Sequence, residues 1–333
     1  MARIPVTWHP CTILTSSLNK ALGREASVVA DDLSLKPDGT MPYDPDTVAV
    51  AAQLACLLEA SAEKPGNVTP TRGFEDLDYE DFLRAAAAIG PEMARAGSRG
   101  VGETVRAAVE ATRRWTRTNV NLGIVLLLTP LARAALLDLP DPSGVLETDP
   151  ADALRARLRV VLRNLTVEDA RHAYAAIRLA APGGLGTVER HDVRTEPTVT
   201  LREAMAAAAD RDSIASEYVT DYAITFEIGR PALHRALARG LRPRQAIVQT
   251  FLEILAVVPD TLIARKVGRP AAEAVSRQAA RVVAAGGVFT EAGRRALARL
   301  DRHLRRDGHR LNPGTTADLT AAALFVALLE GTL

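Results

Sequence analysis

From Asp46 to its end the chain presents one helix signal after another, and no segment sustains an apolar/polar alternation. A half-buried strand needs that period of two, whereas an amphipathic helix repeats its apolar residues at three and four. Asp46 and Thr47 stand ahead of Val48, Leu54, Leu57 and Leu58, which share one helical face, and Pro65-Gly66 ends the run. Asp78 opens a second helix, expected to stop at Gly90-Pro91. A third covers roughly 101–115 and a fourth starts at Leu122. Asp149-Pro150 puts proline in a first turn, and Thr166 with Glu168 and Asp169 puts acids at the positive end of the next helix. Thr200-Leu-Arg-Glu203 has capping-box spacing. Further helices are expected at 212–238, 243–257, 270–285, 291–306 and 316–330. The fold expected is all-α, one large domain of about ten to twelve helices over residues 47–333.

Residues 1–46 differ. They hold Pro5, Pro10, Pro37, Pro42 and Pro45 and no helical stripe longer than about two turns. The expectation is a peripheral extension, or sequence ahead of a true start at Met41. Of two longer linkers, 138–149 and 182–199, the second carries Gly183-Gly184-Leu185-Gly186 and is expected to be a surface loop or lid.

Charge narrows the function classes. With 41 Lys and Arg against 40 Asp and Glu, the chain lacks the cation excess of a dedicated nucleic-acid binder. Cys11 and Cys56 cannot build a disulfide framework or a four-thiolate zinc site, and a reducing cytoplasm is expected. None of the six histidines forms a His-Glu-x-x-His pattern, and no Gly-x-Ser-x-Gly elbow is present, which disfavours zinc hydrolases and acyl-enzymes. No secretory signal is expected from the first residues, which hold Pro5 and Pro10 and no long apolar stretch. The greasiest run, Leu122 to Leu139, is interrupted by Pro130, Arg133 and Asp138, so a buried helix is expected rather than a membrane span. Oligomeric state is not legible. Only four residues are lysines, Lys20, Lys36, Lys64 and Lys266.

Three helix junctions combine Asn with Gly: Lys64-Pro-Gly-Asn67, Thr118-Asn-Val-Asn-Leu-Gly123 and Asn312-Pro-Gly-Thr-Thr316. Free N–H groups at a helix start bind anions, and glycine lets a ligand approach the backbone. The same residues also make ordinary helix boundaries. Glu59, Asp76 and Asp78 beside the first junction suit Mg²⁺, which takes oxygen ligands, although Asp78 equally suits an N-cap and Asp76 a solvated loop. Arg113 and Arg117 are placed to converge beside the second junction, with Arg114 pointing elsewhere. Asp260, Arg265 and Lys266 form a smaller charged cluster. Arg302, Arg305, Arg306, His309 and Arg310 make a basic patch before the third junction.

Four blocks in order, Glu59-Ala-Ser-Ala-Glu-Lys64-Pro-Gly-Asn-Val68, Phe74-Glu-Asp-Leu-Asp78, Thr118-Asn-Val-Asn-Leu-Gly123 and Asn312-Pro-Gly-Thr-Thr-Ala-Asp318, resemble the triphosphoribosyl-dephospho-coenzyme A synthase family over roughly residues 47–331. The resemblance implies an all-helical enzyme that joins ATP to 3′-dephospho-CoA and releases adenine. It is a divergent member: Asn121 and Leu122 stand where the family has His and Lys, and Thr69 where it has Asp. On that resemblance Asp76 is expected as general base, with Asp78 and Glu59 as Mg²⁺ ligands or their neighbours. Lys64 and the N–H groups near Gly66, Gly123 and Gly314 would hold phosphates, beside Asn67. Asn119, Asn121 and Asn312 would read ribose or adenine, and Asp318 would bind metal or merely sit in the last helix's first turn. Two alternatives stay open. One is a nucleotide-using transferase or ligase of another cofactor pathway, such as tetrahydromethanopterin- or methanofuran-linked one-carbon metabolism. The other is a non-catalytic nucleotide-binding helical protein.

Overall fold

The computed structural model describes residues 43–138, 150–181 and 191–333, so the segment before Tyr43 and the glycine run at 183–186 lie outside the described residues. The chain order is α1 (Pro45–Ser61), α2 (Tyr79–Ala94), α3 (Val101–Arg113), α4 (Leu122–Ala135), α5 (Pro150–Arg163), α6 (Val167–Ala180) and α7 (Leu201–Ala206). There follow α8 (Ser213–Val219), a π-helical segment (Ile224–Gly229), α9 (Arg230–Ala238), α10 (Pro243–Val257), α11 (Thr261–Val267), α12 (Arg269–Ala284), α13 (Glu291–Leu304) and α14 (Gly314–Leu329). No strand occurs among the described residues, and the all-α class holds. The fourteen α-helices among the described residues exceed the expected ten to twelve. The stretch read as one helix at 212–238 is divided, and α11 is too short to show periodicity. No helix among the described residues is by itself long and apolar enough to cross a membrane.

Two helices with almost no polar face form the centre. In α14 thirteen residues are buried, including Ala321, Ala322, Leu324, Phe325 and Val326, and α4 is buried from Leu122 through Ala132 except at Gly123. They pack on each other, with α1, α10 and the π-helical segment against α14 and α3 and α5 against α4. The alanines of α14 permit close approach: a β-carbon on Gly229 would lie 2.8 Å from that of Ala323.

The expected stop at Gly90-Pro91 is not observed, because α2 runs on to Ala94 with Pro91 inside it. Proline cannot donate to the carbonyl four residues back, and that orphan normally breaks the helix. Here Gln53 Nε2 of α1 donates to Ala87 O at 3.0 Å and replaces the missing bond. Gly90 makes room for it, since a β-carbon there would sit 2.5 Å from Gln53 Cδ. Pro130 in α4 follows the same rule: the freed Leu126 O accepts from the Tyr218 hydroxyl at 2.7 Å. Tyr222 adds a bond to the adjacent Leu127 O at 2.9 Å.

Those two tyrosines bracket the break in the 212–238 stretch. Asp221 and Tyr222 adopt φ values of 52° and 60°, left-handed backbone that non-glycine residues rarely take. The π-helical segment follows at once. Its start is fastened to the fully buried Glu217, whose carboxylate accepts from Ile224 N (2.8 Å), Thr225 N (2.9 Å) and Thr225 Oγ1 (2.5 Å). Burial pushes the Glu217 carboxyl up from 4.5 to about 7 against those bonds.

Two outcomes follow. Replacing Tyr218 with Phe leaves Leu126 O unpaired in the core and lowers stability by about 1–3 kcal/mol in urea unfolding. Tyr79→Phe, on a part-buried hydroxyl shared with Ser61, is the milder control. The second concerns pH. Because the folded pKa of Glu217 is raised, the folded state binds its proton more tightly than the unfolded chain, and stability falls as pH rises from about 4.5 through 7. Between pH 5 and 8 the stability difference moves toward Glu217→Gln by about 2–3 kcal/mol. Parallel curves for the two proteins would remove Glu217 as the titrating group.

Candidate active site

The starts of α4 and α14 meet at the floor of a cleft of about 1150 Å³. Around that floor stand Glu59 at the end of α1, the 67–77 loop, the start of α8, α11 with Arg269, and His309. Gly123, in the first turn of α4, fixes the contact between the two helix starts. A β-carbon there would lie 2.0 Å from Asp318 Oδ2, so only glycine lets this α14 carboxylate lie against the backbone of α4.

No hydrogen bond or ion pair holds the Asp318 side chain among the described residues. Burial, then the charges of Glu59, Asp260 and Asp212, push its carboxyl well above the ordinary range, while Arg265 pulls the other way. Asp260 is a clamp. It accepts from Ile263 N at 3.0 Å to cap α11, and from Thr316 N and Oγ1 at 2.8 Å each to hold the start of α14. Asp212 caps α8 through Ile214 N and lies 3.4 Å from Arg265 Nη1.

On the opposite side cations are crowded. Arg265 Nε is buried without a partner, and Lys266 Nζ has only the carbonyl of His309, at 3.3 Å. Burial and the neighbouring Arg265 hold the Lys266 ammonium below its ordinary range, against the pull of Asp260 and Asp76. Arg269 and His309 line the same end, and Asn312 Oδ1 there is likewise buried and unpaired.

The first junction departs from its expected role. Lys64 is 1% exposed and does not line the cleft. Its ammonium contacts Glu59 Oε1 at 2.9 Å and the carbonyls of Glu59 and Ala62, which leaves nothing for a phosphate. Lys64 therefore neutralises and aims Glu59, which does line the cleft. Gly66 (φ 74°) serves a turn pressed on α13: a β-carbon would lie 2.8 Å from Leu304 Cβ, and its N–H donates to Asp301 Oδ1 at 2.9 Å. Arg305 ties the same loop through Asn67 O, and Arg72 pairs with Asp301.

The other expected residues divide. Asn67, Asp76, Asn119, Gly123, Asn312, Gly314 and Asp318 line the cleft. Asp76 sits at the tip of a tight turn, 63% exposed, with His309 Nδ1 3.9 Å away and the His309 ring 5.2 Å from that of Phe74. Asp78 does not reach the cleft; it is the N-cap of α2, with its own N–H on Asp81 Oδ2 at 3.3 Å. Asn121 is buried outside it, donating to Thr112 Oγ1 at 3.3 Å, while Asn119 Oδ1 accepts from Leu122 N at 3.0 Å to cap α4. Gly314 makes room for Leu262, whose Cδ2 would be 2.6 Å from a β-carbon. Arg113 and Arg117 line the cleft and Arg114 does not. Of the basic patch at 302–310, only His309 does. Among the described residues no three His, Cys, Asp or Glu gather closely enough to hold an ion unaided. The Cys56 thiol is buried and pushed up by that burial, consistent with a packing role.

The Lys64–Glu59 pair has a measurable consequence. Lys64→Met strands a buried carboxylate and costs about 3–5 kcal/mol in urea unfolding, whereas adding Glu59→Gln recovers part of the loss. A Lys64 variant of wild-type stability would show that the pair is not buried as described.

Against known proteins, the model of the family described as CitG: ATP:dephospho-CoA triphosphoribosyl transferase matches residues 45–333. A 2-(5''-triphosphoribosyl)-3'-dephosphocoenzyme-A synthase of Klebsiella pneumoniae is 37% identical over 103 residues, 31% of this chain and 35% of that protein. One assigned the same name in Pseudomonas syringae pv. syringae is 39% identical over 103 residues, again 31% of this chain and 35% of the relative. These matches thus span about a third of the relatives' length. The crystal structure of a protein assigned as a triphosphoribosyl-dephospho-CoA synthase from Archaeoglobus fulgidus superposes with a TM-score of 0.56 at 29% identity, covering 75% of this chain and all of the other. With the family pattern matched from the start of α1 to the last residue, the chain belongs to the CitG family of ATP:dephospho-CoA triphosphoribosyl transferases.

Proposed function

We propose that the chain transfers the triphosphoribosyl group of ATP to 3′-dephospho-CoA and releases adenine. One observation carries this reading: the cleft holds two opposite electrostatic deficits side by side. Burial and the charges of Glu59, Asp260 and Asp212 raise Asp318, which has no bond of its own, and burial beside Arg265, whose Nε is unpartnered, lowers Lys266. A magnesium polyphosphate supplies both charges at once.

In this reading Arg265, Lys266 and Arg269 take the triphosphate. Asn119 and Asn312 are the amides available to the ribose or the base. Asp318, rather than Asp76, is the general base, because a cleft carboxyl raised above its ordinary range and with no partner of its own is the better proton acceptor. It takes the proton of the acceptor hydroxyl as that oxygen bonds to C1′ of the ATP ribose. The C1′–N9 bond breaks, its electron pair leaves with adenine, and adenine is then protonated. Glu59, aimed by Lys64, turns a carboxylate oxygen toward the cleft to face the oxocarbenium-like carbon. Mg²⁺ fits the donor chemistry, since it commonly takes one or two carboxylates and leaves the rest of its shell to phosphate and water. Asp76 and Asp212, beside the cations, would provide those oxygens and the ion would neutralise triphosphate charge. In this reading the protein works in the cytoplasm, alongside two soluble substrates.

The test incubates the protein with Mg-ATP and 3′-dephospho-CoA, follows free adenine by chromatography and weighs the product by mass spectrometry. Asp318→Asn is expected to lower kcat about 10²–10⁴-fold with little change in the KM for ATP. Lys266→Ala raises that KM about tenfold or more. Adenine release that requires a different acceptor would retain the nucleotide site and overturn the acceptor. Undiminished turnover in Asp318→Asn would overturn its role as base.

A further inference from the structure

The cleft exceeds the roughly 300–1,000 Å³ typical of a site for one small ligand, and its two ends differ in chemistry. The charged end, at α11 and α14, is the one assigned above to ATP. The other end is walled by α6 and α7; these helices give it an apolar wall, and His191, Asp192, Asp210 and Arg211 line the cleft beside them. Ile177 and Ala180 face it from one helix, and Leu201, Ala204 and Met205 from the other, with Ala208 just beyond. Positions 201, 204 and 205 share one face of α7, and Ala208 follows in the turn after it.

The side chains that α6 and α7 turn to this wall are mostly alanine or aliphatic. Tyr174 is the aromatic of α6 here, and its hydroxyl is spent on His191 O at 2.8 Å. The wall is also firmly placed. Thr200 and Glu203 form a reciprocal cap at the start of α7, and Leu201 N donates to Thr166 O at 3.1 Å, which ties α7 to the start of α6. Cations mark the rim: Arg113 is held on Leu179 O at 2.6 Å and Arg211 on Ala207 O at 2.8 Å.

We infer that the α6/α7 groove seats the flexible amide-linked arm of the acceptor, with the acceptor's diphosphate passing between Arg113 and Arg211 at its rim. The inference rests on the proposed reaction. In 3′-dephospho-CoA a diphosphate joins the nucleoside to a thin chain of methylene and amide groups. A groove floored by alanine and aliphatic side chains buries such a chain well, and a flat heterocycle poorly. ATP has no comparable segment, and its triphosphate is accounted for at the opposite end.

The experiment compares acceptors and groove variants. Ala208→Leu fills the groove from a half-buried position, and Ala204→Val does so from the preceding turn. Each is expected to raise the KM for 3′-dephospho-CoA about tenfold or more while leaving the KM for ATP within about twofold. With ADP as acceptor, which keeps the ribose and diphosphate but lacks the arm, the same variants change nothing. Equal losses with both acceptors, or no loss with either, would overturn the groove assignment. Should the wild-type protein release no adenine with either acceptor, the reaction assignment fails and the groove is judged separately by calorimetric titration of pantetheine. Binding to wild type that weakens about tenfold in Ala208→Leu sustains the groove; no binding to wild type removes it.

Discussion

The hydrogen bond from the Tyr218 hydroxyl to the carbonyl freed by Pro130 joins the centre of the fold to the wall of its cleft. Without a donor at Leu126 O, a proline in the middle of α4 would leave a bare carbonyl in the driest part of the protein. Satisfying it draws α8 against α4 and fixes both its ends. Beyond Tyr218 the chain can only turn through the left-handed pair Asp221-Tyr222, and Glu217 gathers the N–H groups at the start of the π-helical segment. Ser216 and Ile224, on either side of that turn, then face the cleft. One core polar contact thus sets the position of a cleft wall, and a π-helical segment beside a functional site fits a broader pattern.

The cleft shows the opposite logic. Other buried acids, at the cleft or away from it, have partners: Glu59 has Lys64, Asp260 has Thr316 and the start of α11, and Glu217 has Ile224 and Thr225. Asp318 and Lys266 are not relieved in this way. Unsatisfied charge is expensive in a folded chain, and a site that retains it holds a ready complement to a charged ligand. The neutral variant of Asp318 should accordingly cost the fold little while removing the chemistry assigned to it, the trade expected at a working site rather than a structural one.

Much of the scaffold is legible in the sequence because its signals are local. Thr166, Thr200 and Asp78 mark helix starts from residues three or four positions away. What sequence misjudges is nonlocal. Gly90-Pro91 reads as a stop because Gln53, which repairs the helix, lies in a different helix. Lys64 reads as a phosphate ligand because its burial and its bond to Glu59 depend on how α1 ends against the 64–67 turn. Gly66 reads as a place for an anion because Leu304, the atom group it accommodates, is far along the chain. The cations at 265–269 and His309 appear in sequence as separate minor patches, and only packing brings them to one end of one cleft.

This division bears on the departures at Asn121 and Leu122. Asn121 is turned into the core onto Thr112, and Leu122 presents an apolar side chain to the cleft, so the start of α4 carries no side-chain cation there. Its contribution is geometric: Asn119 caps it and Gly123 admits Asp318. The positive charge comes instead from Arg265, Lys266 and Arg269 across the cleft, against the start of α14. A polyphosphate is recognised by net charge and donor directions, which another element can supply if it reaches the same volume. The motif residues that make the chain recognisable are thus largely those that shape the cleft, and the cations proposed to hold the substrate lie mostly outside them.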